Sequence, residues 1–331
     1  MDFRLMKILI LGGAGYVGSH FALEAIKFGH ECIIYDNLST GYQTLIPQQC
    51  QFVYGDLSEI AKLTHIIQSL RPDAIMHFAA SALVEESTLF PERYYNNNTI
   101  NTFHLLNMIC DIDPTIPFVF SSTCAVFGHP ASLPIKEFDP KLPISPYGRS
   151  KLMCEQIIED FAKAKKMRAI ILRYFNVCGA DKLGRSGELH NPETHLIPNI
   201  IRAAYNNETI TIFGSDFNTP DGTCIRDYIS VQDLASAHLK TIELLRQHTS
   251  YFDIFHLGYG KGISNLEVVQ TIEQAIGKPI NRKLGPRRSG DPAALYADIS
   301  KAQSILKFTP QYSLLEAVKD ACRWHNLDRK S

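Results

Sequence analysis

A doubly wound α/β fold, a mostly parallel sheet with helices on both faces, is predicted by three observations. Short apolar runs alternate with segments of helical composition five times before residue 147, the signature of successive strand–helix–strand units. A glycine-rich turn, Gly12-Gly13-Ala14-Gly15-Tyr16-Val17-Gly18, joins the first apolar run to the first helical segment. An acid, Asp36, closes the second apolar run, 18 residues after Gly18. In that order and spacing these features make a G-x-x-G-x-x-G variant of the dinucleotide fingerprint, so the sheet is expected to be of the Rossmann type.

Residues 7–11 are nearly all apolar, as a parallel strand buried on both faces requires. Gly12 permits the tight turn, Gly15 lets backbone approach a pyrophosphate, and Gly18 lets the helix over 19–28 pack on the strand. N–H groups at that helix start would face phosphates; the alternative is an ordinary glycine turn. The second strand, 31–35, ends at Asp36-Asn37. A carboxylate there would take the adenosine ribose hydroxyls and repel a 2′-phosphate, which predicts NAD rather than NADP; otherwise Asp36 initiates a turn. The third strand, 51–54, closes with Gly55-Asp56-Leu57. Asp56 is expected to accept from the adenine amino group or to cap the helix over 61–69.

The fourth strand, 74–78, runs into Ala79-Ala80-Ser81, small residues that fit a cofactor lying across the sheet crevice. His77 reads as a packed core histidine. A long helix over 92–110 contains Asn96-Asn97-Asn98. Asparagines are poor helix formers, so one of them is expected to bond the cofactor or a neighbouring loop. The fifth strand, 117–121, leads into Ser121-Ser122-Thr123-Cys124-Ala125, hydroxyls that either sit at the ligand crevice or cap a turn.

The next helix, 147–165, opens Pro146-Tyr147-Gly148-Arg149-Ser150-Lys151. Positions i and i+4 share a helix face. An ammonium beside a phenol favours the phenolate, so the Tyr147 pKa is expected to fall towards neutrality, where a phenol exchanges protons readily. Alone, Tyr-x-x-x-Lys equally describes a surface ion on a helix that buries its tyrosine. A sixth strand covers 168–174. Residues 181–191, rich in glycine and polar groups, read as a mobile surface loop. A helix starts at 195, a strand covers 211–214, and helices cover 264–276 and 314–327. Residues 227–247 read as a strand and helix returning to the first domain. The expected division is 1–176, with 226–250 returning to it, for the dinucleotide, and 177–331 mainly for a substrate.

Composition narrows the partners. With 33 basic and 34 acidic residues and a net charge of -1, there is no charge run to engage nucleic acid or an anionic membrane. No apolar stretch reaches membrane-spanning length. The run before Gly12 is too short for a signal peptide. Eight cysteines are scattered without a C-x-x-C pair or a Cys/His cluster of zinc spacing. Free thiols, a cytoplasmic location and no bound metal are expected.

Gly12-x-x-Gly15-x-x-Gly18, Asp36-Asn37-Leu38, Gly55-Asp56, His77-Phe78-Ala79-Ala80, Ser121-Ser122-Thr123 and Tyr147-x-x-x-Lys151 together resemble the extended short-chain dehydrogenase/reductase superfamily. Arg173-Tyr174-Phe175-Asn176, the run from Asp221 to Tyr228, and Arg287-Arg288-Ser289-Gly290-Asp291 look like the UDP-glucose (UDP-galactose) 4-epimerase family. The likeness runs from Lys7 to the C-terminal helix.

The resemblance implies an NAD that is bound and not consumed. It implies that Tyr147 takes the proton of the sugar 4-hydroxyl, that Thr123 bonds the same hydroxyl, and that Lys151 bonds the nicotinamide ribose and lowers the tyrosine pKa. The C4 hydride would pass to NAD and return to the other face of a 4-keto sugar, interconverting UDP-glucose and UDP-galactose. Cofactor contacts implied in the same way are Gly12, Gly15, Tyr16, Val17, Gly18, Asp36, Asn37, Leu38, Ser39, Thr40, Gly41, Asp56, Leu57, Phe78, Ala79, Ala80, Ser81, Ala82, Asn97, Tyr147, Lys151 and Phe175. On the UDP-sugar side, Asn176 would bond a diphosphate oxygen, and His195 and Leu196 would contact the nucleotide. Phe213, on a strand with Thr211, would stack near uracil or else belong to the small-domain core. Arg226 and Arg288 would clamp the diphosphate, since guanidinium forks match phosphate geometry. Asp291 would take the uridine ribose hydroxyls, and Leu295 would lie over the sugar.

Some positions depart from the family's pattern. Ala82 replaces a common lysine, which is expected to loosen NAD, and Phe127 replaces a common tyrosine. Cys124 and Ala125 stand where sugar dehydratases carry an acid pair and decarboxylases a glutamate, which disfavours both reactions. Leu295 is smaller than the tyrosine of some members, leaving room for an N-acetylated sugar such as UDP-N-acetylglucosamine; a UDP-pentose (xylose or arabinose) also stays open as an alternative substrate. A plain alcohol dehydrogenase and a non-catalytic NAD or sugar-nucleotide sensor also stay open. Family members often dimerise through a four-helix bundle of the 92–110 and 147–165 helices, so a homodimer is expected.

Overall fold

The computed structural model describes residues 5–288 and 291–327; Ser289 and Gly290 of the arginine-rich motif lie outside the described residues. Seven strands form one parallel sheet, in the order Tyr251–Leu257, Arg168–Tyr174, Phe118–Thr123, Ala74–His77, Lys7–Leu11, Glu31–Asp36, Gln51–Tyr54. The strand order reverses between Lys7–Leu11 and Ala74–His77, the topological switch point at which such sheets bind nucleotides. Six strands match expectation. The seventh, Tyr251–Leu257, was not anticipated; it is interrupted by Asp253 and His256 and lacks a continuous apolar run. The return of the chain to the large body therefore extends beyond residue 250.

Alternate side chains of each strand face opposite sides. Ile8, Ile10, Ile34 and Met76 pack with Phe21 and Leu234 on one side, under the helices Tyr16–Lys27 and Val231–Arg246. Leu9, Leu11, Ile33 and Ile75 pack with Leu63, Leu105 and Ile158 on the other, under Ile60–Leu70, Asn101–Ile112 and Pro146–Lys165. The helix expected over 92–110 is divided. Pro91–Tyr94 passes into a π-helical turn, Tyr95–Ile100, before Asn101–Ile112. The turn carries the three asparagines and buries Asn98. Short π segments of this kind frequently mark functional sites.

A smaller body is built on the helices Leu196–Asn206, Asn265–Ile276 and Leu314–Leu327 around Ile201, Ile212, Val268 and Val318. The loop over 181–191 is not the surface excursion expected. Asp181, Ser186 and Glu188 are buried. Gly187 lies so close to the Trp324 ring that any side chain there would collide with it. The Trp324 indole donates to the Glu188 carbonyl at 3.0 Å.

Asp227 ties the bodies together. Its buried carboxylate accepts N–H bonds from Tyr259, Gly260 and Ala297 at 2.8, 3.2 and 3.0 Å. Burial raises its pKa to about 6 against those bonds. Among the described residues, no helix is long and apolar enough to cross a membrane.

Candidate active site

At the switch point, a side chain on Gly12 would strike the backbone of Ala79, and one on Gly18 would strike the Gly12 carbonyl. Gly15 differs: the nearest atom to a β-carbon there is 3.5 Å away. Gly12 and Gly18 thus close the turn on itself, while Gly15 leaves a cradle. Gly15 also precedes a 12-residue helix with no side-chain cap and no acid in its first turn. Its first N–H groups are available to an anion. The Tyr16 hydroxyl donates to the Gly179 carbonyl at 2.6 Å, so Tyr16 faces the cradle with its backbone.

The Asp36 carboxylate accepts from Ala14 N–H at 3.0 Å and Leu38 N–H at 2.8 Å. An ionised carboxylate has about four acceptor sites, so two hydroxyls can still be taken. Leu38 has φ of 56°, a left-handed conformation that costs a non-glycine residue energy and tends to cluster at ligand sites. Asp56 is bonded to Ser58 and to Asn37, at 2.5 Å for the latter. It does not cap the following helix, whose N-cap is Glu59. The Leu57 side chain lies in the core, so any cofactor contact there is through backbone. This set of donors and the empty-sided Gly15 fit a dinucleotide. NAD would be held by the 12–18 turn, Asp36 and the loop after it.

Tyr147, Lys151 and Thr123 converge at the carboxyl end of the fifth strand. Ser145 caps the Pro146–Lys165 helix by accepting from Gly148 N–H at 3.1 Å, with Pro146 in the first turn. A β-carbon on Gly148 would meet the Ala125 carbonyl; its absence lets the helix press against the Cys124–Val126 turn. Tyr147 is thereby brought into hydrogen-bond contact with Thr123. Lys151 Nζ donates to the Ser121 carbonyl at 2.8 Å and lies 4.6 Å above the Phe120 ring.

The expected depression of the tyrosine pKa does not occur in the protein alone. Burial pushes the Tyr147 phenol up to about 12, against the Thr123 hydrogen bond. Burial also lowers the Lys151 ammonium to about 8, opposed by Cys154 and Glu155. The lysine's charge is directed to a carbonyl and a ring face, and burial is the dominant influence on both groups.

Two supports hold the group: one asparagine of the 96–98 run bonds a neighbouring loop, as expected, and a buried ion pair was not read from the sequence. Asn98, not Asn97, is the central asparagine: its side chain accepts from Ser81 N–H at 2.8 Å and donates to the Ser81 carbonyl and to Ser150 at 3.0 and 3.1 Å. Asn97 donates to Ser81 Oγ at 3.1 Å and to Asn98 Oδ1 at 3.5 Å. One turn beyond Lys151, Glu155 meets Arg173 bidentately, at 2.9 and 2.6 Å, and Ser122 bonds the same carboxylate. His77 is buried, bonded to Thr102 at 2.9 Å and pushed down to about 3, first by burial and then by Lys151, as a core histidine should be. Cys124 is raised to about 11, chiefly by burial. It cannot serve as an acid–base partner as a carboxylate would.

In the smaller body, Arg226 pairs with Asp291 at 3.3 Å and donates to the carbonyls of Ile225 and Pro292. The Arg288 guanidinium lies 4.3 Å above the half-buried Phe213 ring. Thr211 is two residues before Phe213, on the same face of the strand. Leu295 pairs with Arg226 in a small sheet and packs against the cluster of Val126, Phe127 and Phe175. Asn176 is exposed, Leu196 opens its helix, and Ala82 is exposed. His195 is held by Glu188 at 2.9 Å and Glu193 at 3.2 Å. Burial acts to lower its pKa, but the two carboxylates raise it to about 10.

The family model for the NAD dependent epimerase/dehydratase family matches residues 8–255. The chain belongs to this family. Within it, the UDP-glucose 4-epimerase of Halalkalibacterium halodurans is 44% identical over 322 residues, covering 97% of this chain and 96% of that protein. UDP-arabinose 4-epimerase 1 of Arabidopsis thaliana is 41% identical over 337 residues, covering 97% and 80%. The solved UDP-glucose 4-epimerase of Brucella ovis in complex with NAD superposes with a TM-score of 0.91 at 42% identity, covering 96% of this chain and 98% of that one. The Rossmann-type sheet and the dependence on NAD expected from the glycine turn and Asp36 are those of the NAD dependent epimerase/dehydratase family.

Proposed function

We propose that this epimerase/dehydratase family member is an NAD-dependent 4-epimerase of UDP-hexoses, interconverting UDP-glucose and UDP-galactose through a 4-keto intermediate. The observation that carries this reading is a Thr123–Tyr147–Lys151 group in which the two positions after Thr123 are Cys124 and Ala125, neither of them a carboxylate. Such a group can move one proton on and off a hydroxyl, but it has no acid for elimination. The likeness to UDP-glucose 4-epimerases over nearly the whole chain supports the same reading.

Bound NAD supplies an acceptor that takes a hydride and gives it back. Thr123 orients the sugar 4-hydroxyl, and Tyr147 Oη takes its proton and later returns it. Lys151 holds the nicotinamide ribose. Tyr147 becomes an effective base only beside a further cation, such as the oxidised nicotinamide ring, because burial alone keeps its phenol protonated. The cofactor contacts named from the resemblance, from the 12–18 turn to Phe175, are taken as the NAD site. Asn176, His195, Leu196, Thr211, Phe213, Arg226, Arg288, Asp291 and Leu295 are taken as the UDP-sugar site. Residues 1–176 with a return over 226–257 are taken as the NAD-binding domain, and the rest of 177–331 as mainly the substrate-binding domain. The N-acetylated alternative rests on Leu295 and the pentose one on the likeness to UDP-arabinose 4-epimerase 1; both have less support than the hexose reading.

Incubation with UDP-galactose should yield UDP-glucose. Tyr147→Phe should slow turnover by about 10³-fold with NAD still bound, within the range of general acid–base contributions. UDP-sugar binding without any conversion by the native protein would support a sensor instead.

A homodimer is part of the proposal. Ile100, Phe103 and Met153 are exposed on the segments named for the bundle. Phe103→Glu should convert a dimer to a monomer by light scattering; a native protein that is monomeric at micromolar concentration would remove this part. Eight free cysteines support a reducing, cytoplasmic location.

A further inference from the structure

The loop entering the Leu196–Asn206 helix repeats Glu-x-His: Glu188-Leu189-His190 and Glu193-Thr194-His195. The fold brings both copies to one point. One ring nitrogen of each histidine and one carboxylate oxygen of each glutamate all lie within 4.8 Å of one another. The Glu188 carboxylate is 2.9 Å from His195 Nδ1 and 3.6 Å from His190 Nδ1; that of Glu193 is 3.2 and 3.5 Å from the same atoms. Nitrogen and oxygen ligands bound tetrahedrally at about 2.0–2.1 Å stand about 3.4 Å apart. The four separations bracket that spacing.

The cluster is held in place by its surroundings. Glu188 is buried, with its carbonyl bonded to the Trp324 indole. Glu193 Oε1 accepts the N–H groups of Thr194 and His195, both at 2.8 Å, which fixes the carboxylate across the helix start. His190 Nδ1 is buried and makes no hydrogen bond, although it faces both carboxylates. A buried nitrogen of this kind needs a partner. Among the described residues, the ion pairs of Glu188 and Glu193 are with these two imidazoles alone. Two carboxylates, two neutral imidazoles and a dication sum to zero charge. Four protein ligands from histidine and carboxylate suit a borderline ion, and a full tetrahedral set without an open position is structural rather than catalytic.

We propose that Glu188, His190, Glu193 and His195 bind one zinc-class divalent cation, which fastens the 181–195 loop to the start of the Leu196–Asn206 helix. A search confined to Cys/His spacing misses the site because half of its ligands are carboxylates. The competing arrangement is a metal-free cluster of imidazolium–carboxylate pairs.

The test uses the untagged full chain, stripped with a chelator and titrated with Zn²⁺ against a chromophoric competitor, and separately with Co²⁺. Zinc should bind once per chain, and Co²⁺ should show the intense visible bands of tetrahedral coordination. His190→Ala and the isosteric Glu188→Gln should each weaken zinc at least tenfold, with circular dichroism confirming that both variants fold. The proposal is overturned if the native chain takes up no zinc, if the variants bind it unchanged, or if bound Co²⁺ is octahedral. The Co²⁺ spectrum needs no variant, and none of these readouts depends on sugar turnover. The outcome is therefore separable from that of the proposed epimerase activity.

Discussion

Arg173 and Glu155 face each other beneath Lys151 with side-chain exposures of 1% and 3%, bonded through two nitrogens and both carboxylate oxygens. Arg226 and Asp291, in the smaller body, meet through one contact at 3.3 Å with exposures of 16% and 35%. Both are arginine–carboxylate pairs, but they suit different purposes. A buried bidentate pair cannot lose a member without stranding a charge. A half-exposed pair with one contact can exchange its carboxylate for another anion at little cost. The large body thus supports its reactive groups with polar contacts that are part of the fold. In the smaller body the one contact between Arg226 and Asp291 leaves the arginine able to take another anion, as the proposed role in the UDP-sugar site requires.

Substitutions should separate the two. Glu155→Gln leaves the Arg173 charge uncompensated and should cost about 3–5 kcal/mol of stability, read as a fall in denaturation midpoint. A small change would mean that the pair is not the foundation described. Next, Lys151 carries a pKa of about 8 in the native chain and an ordinary lysine value of about 10.4 when unfolded. Between those values the unfolded state holds more protons, so this contribution to stability rises with pH. The native chain should gain roughly 3 kcal/mol relative to Lys151→Met between about pH 8 and 10.5. A constant difference across that window would contradict the buried lysine. The smallest effect on the fold belongs to Arg226→Met. It should leave the melting temperature nearly unchanged and raise KM for a UDP-sugar about 10- to 100-fold, the loss of one or two charge-assisted bonds. Destabilisation on the scale of Glu155→Gln would erase the contrast between the bodies.

What the sequence disclosed follows the same division between local and distant causes. The glycine turn and Asp36 were legible because their spacing along the chain is itself the backbone geometry. The parallel, doubly wound sheet followed from the alternation of strands and helices. The asparagine run announced a bond to a neighbouring loop, which Asn98 makes with Ser81, but the partner Ser150 was hidden because it is 52 residues away. Glu155 looked like any helix acid until the sixth strand brought Arg173 to it. The Tyr147 pKa was misjudged for a related reason. Spacing gives the distance from Lys151 along a helix, but desolvation depends on what the rest of the chain stacks over the phenol. Glu188 and His195 likewise meet only because the loop folds back on Trp324.

The path of the chain limits what recombination can do with this enzyme. After building part of the smaller body, it returns to lay Tyr251–Leu257 against the large sheet, then leaves again. The Asp227 carboxylate gathers N–H groups from beyond that return, at Tyr259, Gly260 and Ala297. No single cut therefore frees a substrate-recognising cassette. A chimera meant to import another sugar preference must graft two separate stretches, about 177–225 and 258–327, and must keep Asp227 matched to the second. Swapping the second stretch without matching Asp227 would leave a buried carboxylate facing the wrong backbone.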